Sequence, residues 1–385
     1  MNALPAGYAL HEYRIDKVLG VGGFGLTYLA VDSNLNLKVA LKEYLPADIA
    51  LRGANQSIGP RSPDTAETFG WGKQRFLDES RTVATFRHPN IVRVMRFFEA
   101  NGTAYMVMEF VEGSALGDWI KTRRPLSEAD ILPIAVQVLD GLEVVHKAGF
   151  LHRDIKPGNI YIREDGTAVL LDFGSARQKA SELTAVVSPG YAPFEQYHSH
   201  GKQGPWSDIY AFAGVLYWMV TGGMPQEAPA RIRADKMVSA VEGGDRTLFR
   251  TEFLAAIDWA LTPFEDQRPQ SIGEWREALL IGGPPPAKPV EKKPVETKLV
   301  EAKTEKVKPP KATTPPRLPP DILLRAQQRL AEYIGPVATV VVKRAAAKAR
   351  DEAELYLLLA DEIEDKDEKK AFVRQAVSIS GKPAS

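Results

Sequence analysis

The chain is predicted to fold as an α+β protein of two lobes, the first β-rich and the second helical, followed by a linker and a small all-α module. Three observations lead there. Short stretches of strand-forming residues (13–19, 26–32, 39–42 and 104–110) crowd the first part of the chain. Helical patterns replace them further on, over 128–148 and 252–261. Between 282 and 320 the composition turns to Pro, Lys, Glu, Thr and Val without aromatic residues, and such a segment cannot bury a core. At 385 residues the chain is also long for a single core. The division expected is an N-terminal extension over 1–12, a main domain over 13–280, a disordered Pro/Lys-rich linker over 281–320 and a small helical domain over 321–380.

Gly20-Val21-Gly22-Gly23-Phe24-Gly25 lies between the first two strands. Glycines let a backbone approach phosphate oxygens and take positive φ without a Cβ clash. Alone, the turn could equally be a flexible hairpin or part of a dinucleotide fold. A dinucleotide site would have the glycines open a helix, whereas β-type residues follow here. Val39-Ala40-Leu41-Lys42 ends the next strand, where a lone lysine is usually a solvated end. The helix that follows carries adjacent carboxylates, Asp78 and Glu79, and places Phe76, Val83 and Phe86 at the spacing of a core face. Residues 104–113, with Met108, Glu109 and Val111, read as a buried strand running into a loop.

The most informative segment is Leu151-His152-Arg153-Asp154-Ile155-Lys156-Pro157-Gly158-Asn159, followed thirteen residues after Asn159 by Asp172-Phe173-Gly174. It sets a carboxylate, a lysine and an amide on one short loop and a second carboxylate on the next. Phosphoryl transfer from a nucleotide calls for that set. It needs a carboxylate to accept the proton of the attacking hydroxyl, a cation near the moving group, and oxygen ligands for magnesium.

These two motifs, eight identities in two registers, resemble the catalytic and magnesium-binding loops of protein kinases. The lysine two places after the aspartate resembles the serine/threonine branch, and the whole is similar to bacterial, Hanks-type serine/threonine kinases. The resemblance spans about seventy per cent of the chain and implies the two-lobe protein-kinase fold, with ATP and Mg2+ as cofactors. It also implies transfer of the γ-phosphoryl group to protein Ser/Thr hydroxyls, with autophosphorylation. Under it Asp154 would orient and deprotonate the acceptor, Lys156 would offset charge on the γ-phosphoryl, and Asn159 and Asp172 would hold magnesium. The glycine turn would cover the phosphates. Lys42 would hold the α- and β-phosphates with Glu79 as its partner, chosen over Asp78 by counting back from His88-Pro89-Asn90-Ile91-Val92. Met108 would back the nucleotide pocket, and the backbone of Glu109 and Val111 would bond the adenine edge.

Ser188-Pro189-Gly190-Tyr191-Ala192-Pro193-Phe194-Glu195 resembles the end of the family's activation loop, although the usual Ala-Pro-Glu reads Pro-Phe-Glu. Ser188 takes the position of the hydroxyl that bonds the catalytic aspartate and lysine. Glu195 keeps its spacing and is expected to pair with Arg268 in a buried salt bridge. Asp208, at the start of the apolar run 210–220, is expected to meet backbone donors of the catalytic loop. Arg153 beside the catalytic aspartate suggests control by activation-loop phosphorylation, with Thr184 first and Ser181 second as acceptor, and Ser188 a further regulatory position.

Composition narrows the class. Lys+Arg and Asp+Glu both number 49, so formal net charge is zero, which argues against a dedicated nucleic-acid or acidic-membrane surface. The absence of cysteine excludes disulfides and thiolate chemistry and is compatible with the cytoplasm. No signal peptide is read at the N-terminus. The apolar run 210–220 is too short to span a bilayer, for which about twenty residues are needed. The expectation is therefore a soluble, cytoplasmic protein without a membrane span. His198-Ser199-His200 has no third ligand near in sequence and reads as loop. The connection from Lys42 to Glu79 is unusually long, rich in Gly, Ser, Pro and Asn, and either a tolerated insertion or functional. Beyond the linker, helices are expected over 320–334, from Pro336 with Val337, Val340 and Val341 on one side, over 352–364 and over 368–377. No catalytic constellation appears there. A docking or self-association module is the better reading, with a nucleotide-binding pseudokinase scaffold as the alternative for the whole chain.

Overall fold

The computed structural model describes residues 3–173, 188–197, 201–282, 319–334, 338–346 and 352–360, together with Ala349 and Phe372. The chain forms two units, Met1–Ala287 and Lys288–Ser385.

The first unit opens with a six-stranded antiparallel sheet. Its strands are β1 (Ala9–Leu10), β2 (Tyr13–Gly22), β3 (Gly25–Asp32), β4 (Leu37–Tyr44), and, after an interruption, β7 (Val94–Ala100) and β8 (Thr103–Glu109), in the spatial order β1-β2-β3-β4-β8-β7. β4 lies inside the sheet, with Lys42 opposite Thr27 on β3 and Met106 on β8. The interruption holds a short hairpin, β5 (Ala50–Arg52) paired with β6 (Ile58–Pro60), and the long helix α1 (Ala66–Thr85). The connection between Lys42 and Glu79 is therefore built rather than slack. Strands of three residues among Gly, Ser and Asn carry too little alternation to be read from sequence. Phe76 and Val83 of α1 and Phe86 just beyond it are buried against the sheet, as is Glu79.

The second lobe carries a small sheet, β9 (Gly113–Ala115), β10 (Ile160–Arg163) and β11 (Ala168–Leu170), in the order β11-β10-β9. The rest is helical: α2 (Leu116–Lys121), α3 (Glu128–Lys147), α4 (Pro205–Thr221), α5 (Ala228–Arg233), α6 (Ala240–Gly243), α7 (Thr251–Ala260) and α8 (Ile272–Leu280). α3 begins with a capping box in which Asp130 accepts the Ser127 amide at 2.8 Å. α4 starts ahead of the apolar run because Pro205 suits a first helical position. It ends where Gly222, at φ 78°, donates back to Trp218 O. It is buried almost all round, and Phe212 meets the edge of Trp275 at 5.9 Å.

In the second unit α9 (Pro320–Ile334), α10 (Ala338–Ala346) and α11 (Glu352–Ala360) bury Leu330, Val341, Val342, Leu355, Leu359 and Phe372 in a core of their own. The helix expected over 368–377 and the end of the one over 352–364 fall outside the described residues, apart from Phe372. No helix among the described residues is long and apolar enough to cross a membrane.

One buried ion pair ties the residues ahead of α4 to the far end of the lobe. Arg268 reaches both oxygens of Glu195, at 2.8 and 3.2 Å, and its remaining donors go to the carbonyls of Thr262 and Pro263, both at 2.7 Å, and of Trp206 at 3.5 Å. Ser207 Oγ also donates to Glu195, at 2.7 Å, and the Tyr210 ring lies 4.5 Å from the guanidinium. Every donor and acceptor is used, which is what makes a buried pair tolerable. Arg268→Ala would strand the Glu195 charge and should lower the unfolding free energy by about 3–5 kcal/mol. In urea denaturation the midpoint should fall sharply and recover in part in Glu195→Gln/Arg268→Met; an unmoved midpoint would show that the pair ties nothing.

Candidate active site

The loop from Leu151 to Asn159 is shaped by a carboxylate outside it. Asp208, in the first turn of α4 and fully buried, accepts the amides of both His152 and Arg153 at 2.8 Å and contacts His146 Nε2 at 2.7 Å. Burial pushes the Asp208 carboxyl up, and the bond and charge of His146, with the further help of His152 and the Arg153 amide, bring it below the ordinary carboxylate value. Arg153 lies at φ 67° and Asp172 at φ 50°, conformations that non-glycine residues seldom adopt. His152 is buried, and burial holds its pKa below the usual histidine value. Its Nδ1 accepts the Asp154 amide at 3.3 Å and its Nε2–H donates to Leu171 O at 2.9 Å, a pattern that suits the neutral ring. The ring of Phe173 packs 4.5 Å from it.

Asp154 gathers Ser188, Lys156 and Asn159. Its Oδ1 accepts from Ser188 Oγ at 2.9 Å, and its Oδ2 accepts from Lys156 Nζ at 3.0 Å and Asn159 Nδ2 at 2.9 Å. Lys156 is also 3.3 Å from Ser188 Oγ, and Asn159 Nδ2 also donates to Asp154 O at 2.8 Å. With its nitrogen turned toward Asp154, Asn159 keeps its amide oxygen for another ligand.

Lys42 projects from β4 and donates to Asp172 Oδ1 at 3.0 Å. Glu79, the partner expected from sequence, acts on Lys42 through its charge, and Asp172 adds a hydrogen bond. Glu79 lines the same small cavity, with Val83, Val92, Met106, Met108, Asp172 and Phe173. Burial pushes the Lys42 ammonium down, but the charges of Asp172 and then Glu79 hold it above the ordinary lysine value. Asp172 answers in the opposite sense: burial raises it, and Lys42 more than reverses this.

The glycine turn closes the β2–β3 hairpin. Gly25 is required by close approach, since a Cβ there would stand 1.8 Å from Glu43 O. Gly20 and Gly23 face open space, and Val21 between them is exposed. At the end of β8, Met108 is buried against the cavity. The Glu109 amide is taken by Arg93 O at 2.9 Å and so is not available to a base. The Glu109 side chain pairs with Arg163 at 3.0 Å. Val111 is buried just beyond.

Around Glu195 the chain forms a single 3-10 turn, Phe194–Gln196. Ahead of it Gly190 has φ 79°, and a Cβ there would lie 2.9 Å from Pro225 O. Thr184 and Ser181, like Gly174, His198 and His200, lie outside the described residues. Among those described, no three His, Asp or Glu side chains gather as a metal cluster. Sequence reading missed His146, whose contact with Asp208 joins residues 62 apart, a separation that leaves no local signal. It missed the aromatic pairing of His152 with Phe173 too, although both residues stand inside the motifs.

Residues 13–243 match the protein kinase domain family. Residues 321–385 match a domain of unknown function, DUF8082. The chain is 34% identical over 239 residues to a probable serine/threonine-protein kinase PknB of Bifidobacterium longum, covering 58% of this chain and 32% of that protein. It is 30% identical over 300 residues to a serine/threonine-protein kinase PknA of a Nostoc species, covering 73% of this chain and 50% of that one. The chain thus spans a third to a half of the curated relatives it matches. Among solved structures, the apo form of PpkA-294 superposes with a TM-score of 0.65 at 39% identity, over 72% of this chain and 100% of that one. The fold, the paired motifs and the match over 13–243 lead to one conclusion: the chain belongs to the protein kinase family.

Proposed function

We propose that this chain is a bacterial serine/threonine protein kinase, which transfers the γ-phosphoryl group of ATP to protein hydroxyls and phosphorylates itself. The observation that carries the reading is the Asp154 cluster. A carboxylate bonded by Ser188, Lys156 and Asn159 faces the same cleft as Asp172 and Lys42. Asp154 orients the acceptor hydroxyl and takes its proton, and Lys156, 3.0 Å away, offsets charge on the transferred group. Lys42 holds the α- and β-phosphates under the glycine turn, and the strand end at Met108, Glu109 and Val111 receives the base.

The donor set fits a hard divalent cation, because the Asp172 carboxylate and the Asn159 amide oxygen are both oxygen ligands. Those two residues would hold Mg2+, which when bound neutralises charge on the phosphates. The pseudokinase alternative is weakened by the same inventory, since every position the chemistry uses is filled. Placement in the cytoplasm suits a cysteine-free chain of this composition. Control through Thr184, or else Ser181, follows from Arg153 beside the catalytic aspartate.

Asp154→Asn should lower kcat by about 10²–10⁴-fold with ATP affinity little changed, because the carboxylate acts on the acceptor. Lys42→Ala should lower activity by raising KM for ATP. Steady-state kinetics on a generic peptide, with nucleotide titration, separate the two; wild-type turnover by Asp154→Asn would end the assignment. Mass spectrometry after incubation with ATP and Mg2+ should find phosphate on Thr184 first, and a segment 174–187 without any would exclude this mode of control.

The C-terminal unit is read as a docking or self-association module on a tether. A chain ending at Gly283 should phosphorylate a generic peptide at the full-length rate. It should lose self-association or partner selectivity, since a tethered module raises a partner's effective concentration to about the millimolar range. Sedimentation mass and substrate selectivity of the two chains check this, and identity in both would remove the docking role.

A further inference from the structure

Three successive residues of β4 make three different connections. Lys42 enters the cleft. Glu43 turns to the opposite face and is wholly buried, where its carboxylate meets the guanidinium of Arg52 on the β5–β6 hairpin. It also accepts from the hydroxyls of Tyr28 on β3, at 2.8 Å, and Tyr105 on β8, at 2.6 Å. Tyr44 returns to the side of α1. Its ring lies 5.5 Å from Phe69 and 5.9 Å from Phe76, and its hydroxyl fills the place of a side chain at Gly72, where a Cβ would stand 2.0 Å away.

The hairpin is tied down at both strands. Arg52 also donates to Gln56 O at 3.1 Å, within the hairpin's own turn. Ile58 N–H donates to Asn101 O at 2.7 Å, and Gly102 beside it passes so close that a Cβ would meet Ile58 O at 2.4 Å. Arg61 then closes the segment on its beginning, its amide donating to Ile49 O at 2.8 Å and its Nε to Ala47 O at 3.0 Å. α1 starts five residues later, with β6 against it. A buried ion pair is weak evidence for stability, because apolar residues of similar volume often serve as well. What the charge pair adds is a fixed register between the hairpin and the strand.

We propose that residues 45–65 are a brace that sets the placement of Glu79 on α1 relative to Lys42 on β4, with Arg52 as its lock and a positioning residue for phosphoryl transfer. The proposal rests on the kinase reading above. Displacing α1 with its hairpin along the sheet would require the hairpin to leave Asn101 and Gly102 and Arg52 to leave Glu43, and the second event abandons a charge inside the protein. The long connection is thus part of the device that holds the nucleotide-binding lysine and its helix together.

The test uses the full-length chain, a generic acceptor peptide and varied ATP. Arg52→Met should lower kcat/KM for ATP by about 10–100-fold, the size expected when a reacting geometry slips by about an ångström. Arg52→Lys should recover part of the loss. In a Glu79→Gln background Arg52→Met should cost little more, because both act through one placement. Glu43→Gln/Arg52→Met leaves no buried charge and keeps an acceptor for Tyr28 and Tyr105, so it reports on the lost lock where Arg52→Met alone fails to fold. Circular dichroism melting identifies which variants are folded. A folded Arg52→Met or double variant with wild-type kinetics overturns the brace, as does a loss of equal size in the Glu79→Gln background. A wild type without any phosphoryl transfer overturns the kinase reading instead. The brace is then judged by displacement of a fluorescent ATP analogue, where weaker binding by the double variant supports it and equal binding ends it.

Discussion

Asp208 brings a carboxylate into the interior, where it is fully buried, and the shape of the catalytic loop depends on it. Two successive amides, those of His152 and Arg153, point at its two oxygens. The loop can satisfy both only by turning through a left-handed residue at Arg153. Such a conformation costs about 1–3 kcal/mol and persists only where its surroundings over-determine it. Burial raises the carboxyl, and His146 with the amides brings it below the ordinary value of 3.8. A depressed folded-state pKa stabilises the protein above the unfolded value, and the contribution is lost as pH falls through the folded one. The loop should accordingly be among the parts most sensitive to acid.

From that loop the order extends toward the nucleotide side. His152, held below its usual pKa by burial, bonds Leu171 O and packs on Phe173, so the residues flanking Asp172 are placed by the loop that carries Asp154. Asp172 in turn bonds Lys42 across the cleft, from the helical lobe to the sheet. The pair is partly buried, with the Asp172 side chain 40% exposed and that of Lys42 19%. Its importance is geometric: it brings the two charges that the chemistry uses to hydrogen-bond distance.

The legible parts of this chain were those where chemistry restricts the residue. Asp154, Lys156, Asn159 and Asp172 stand in motifs, and their spacing survives whatever packs around them. Stretches with clear alternation, such as Tyr13-Arg14-Ile15-Asp16 at the start of β2, and long helices such as α3 were legible by period. The β5–β6 hairpin was not, because three-residue strands among turn-formers have no period to read. Pairings such as Glu43 with Arg52, or His146 with Asp208, depend on a close approach of surfaces that sequence does not encode locally. The surroundings of Lys42 show the same limit: spacing nominates Glu79, whose charge does act on Lys42, but only geometry adds the bond to Asp172.

α1 is where these constraints meet. Its C-terminal end runs into residues 86–92, and these are stitched to β11 of the other lobe. Leu170 N–H donates to Asn90 O at 2.9 Å, Val92 N–H to Leu170 O at 3.0 Å, and Asn90 Nδ2 to Ala168 O at 2.7 Å. Its N-terminal half rests on Tyr44 through Gly72 and is approached by β6. A helix held at one end by the helical lobe and at the other by the sheet has little freedom to slide or tilt unless one attachment yields. The C-terminal attachment consists of backbone bonds to β11 and one buried amide, which no single side-chain change removes. The N-terminal attachment reaches Glu43 through one guanidinium. If the placement of Glu79 is adjustable, Arg52 is the side chain through which the N-terminal attachment is loosened, while Tyr44 and the Ile58–Asn101 bond stay in place.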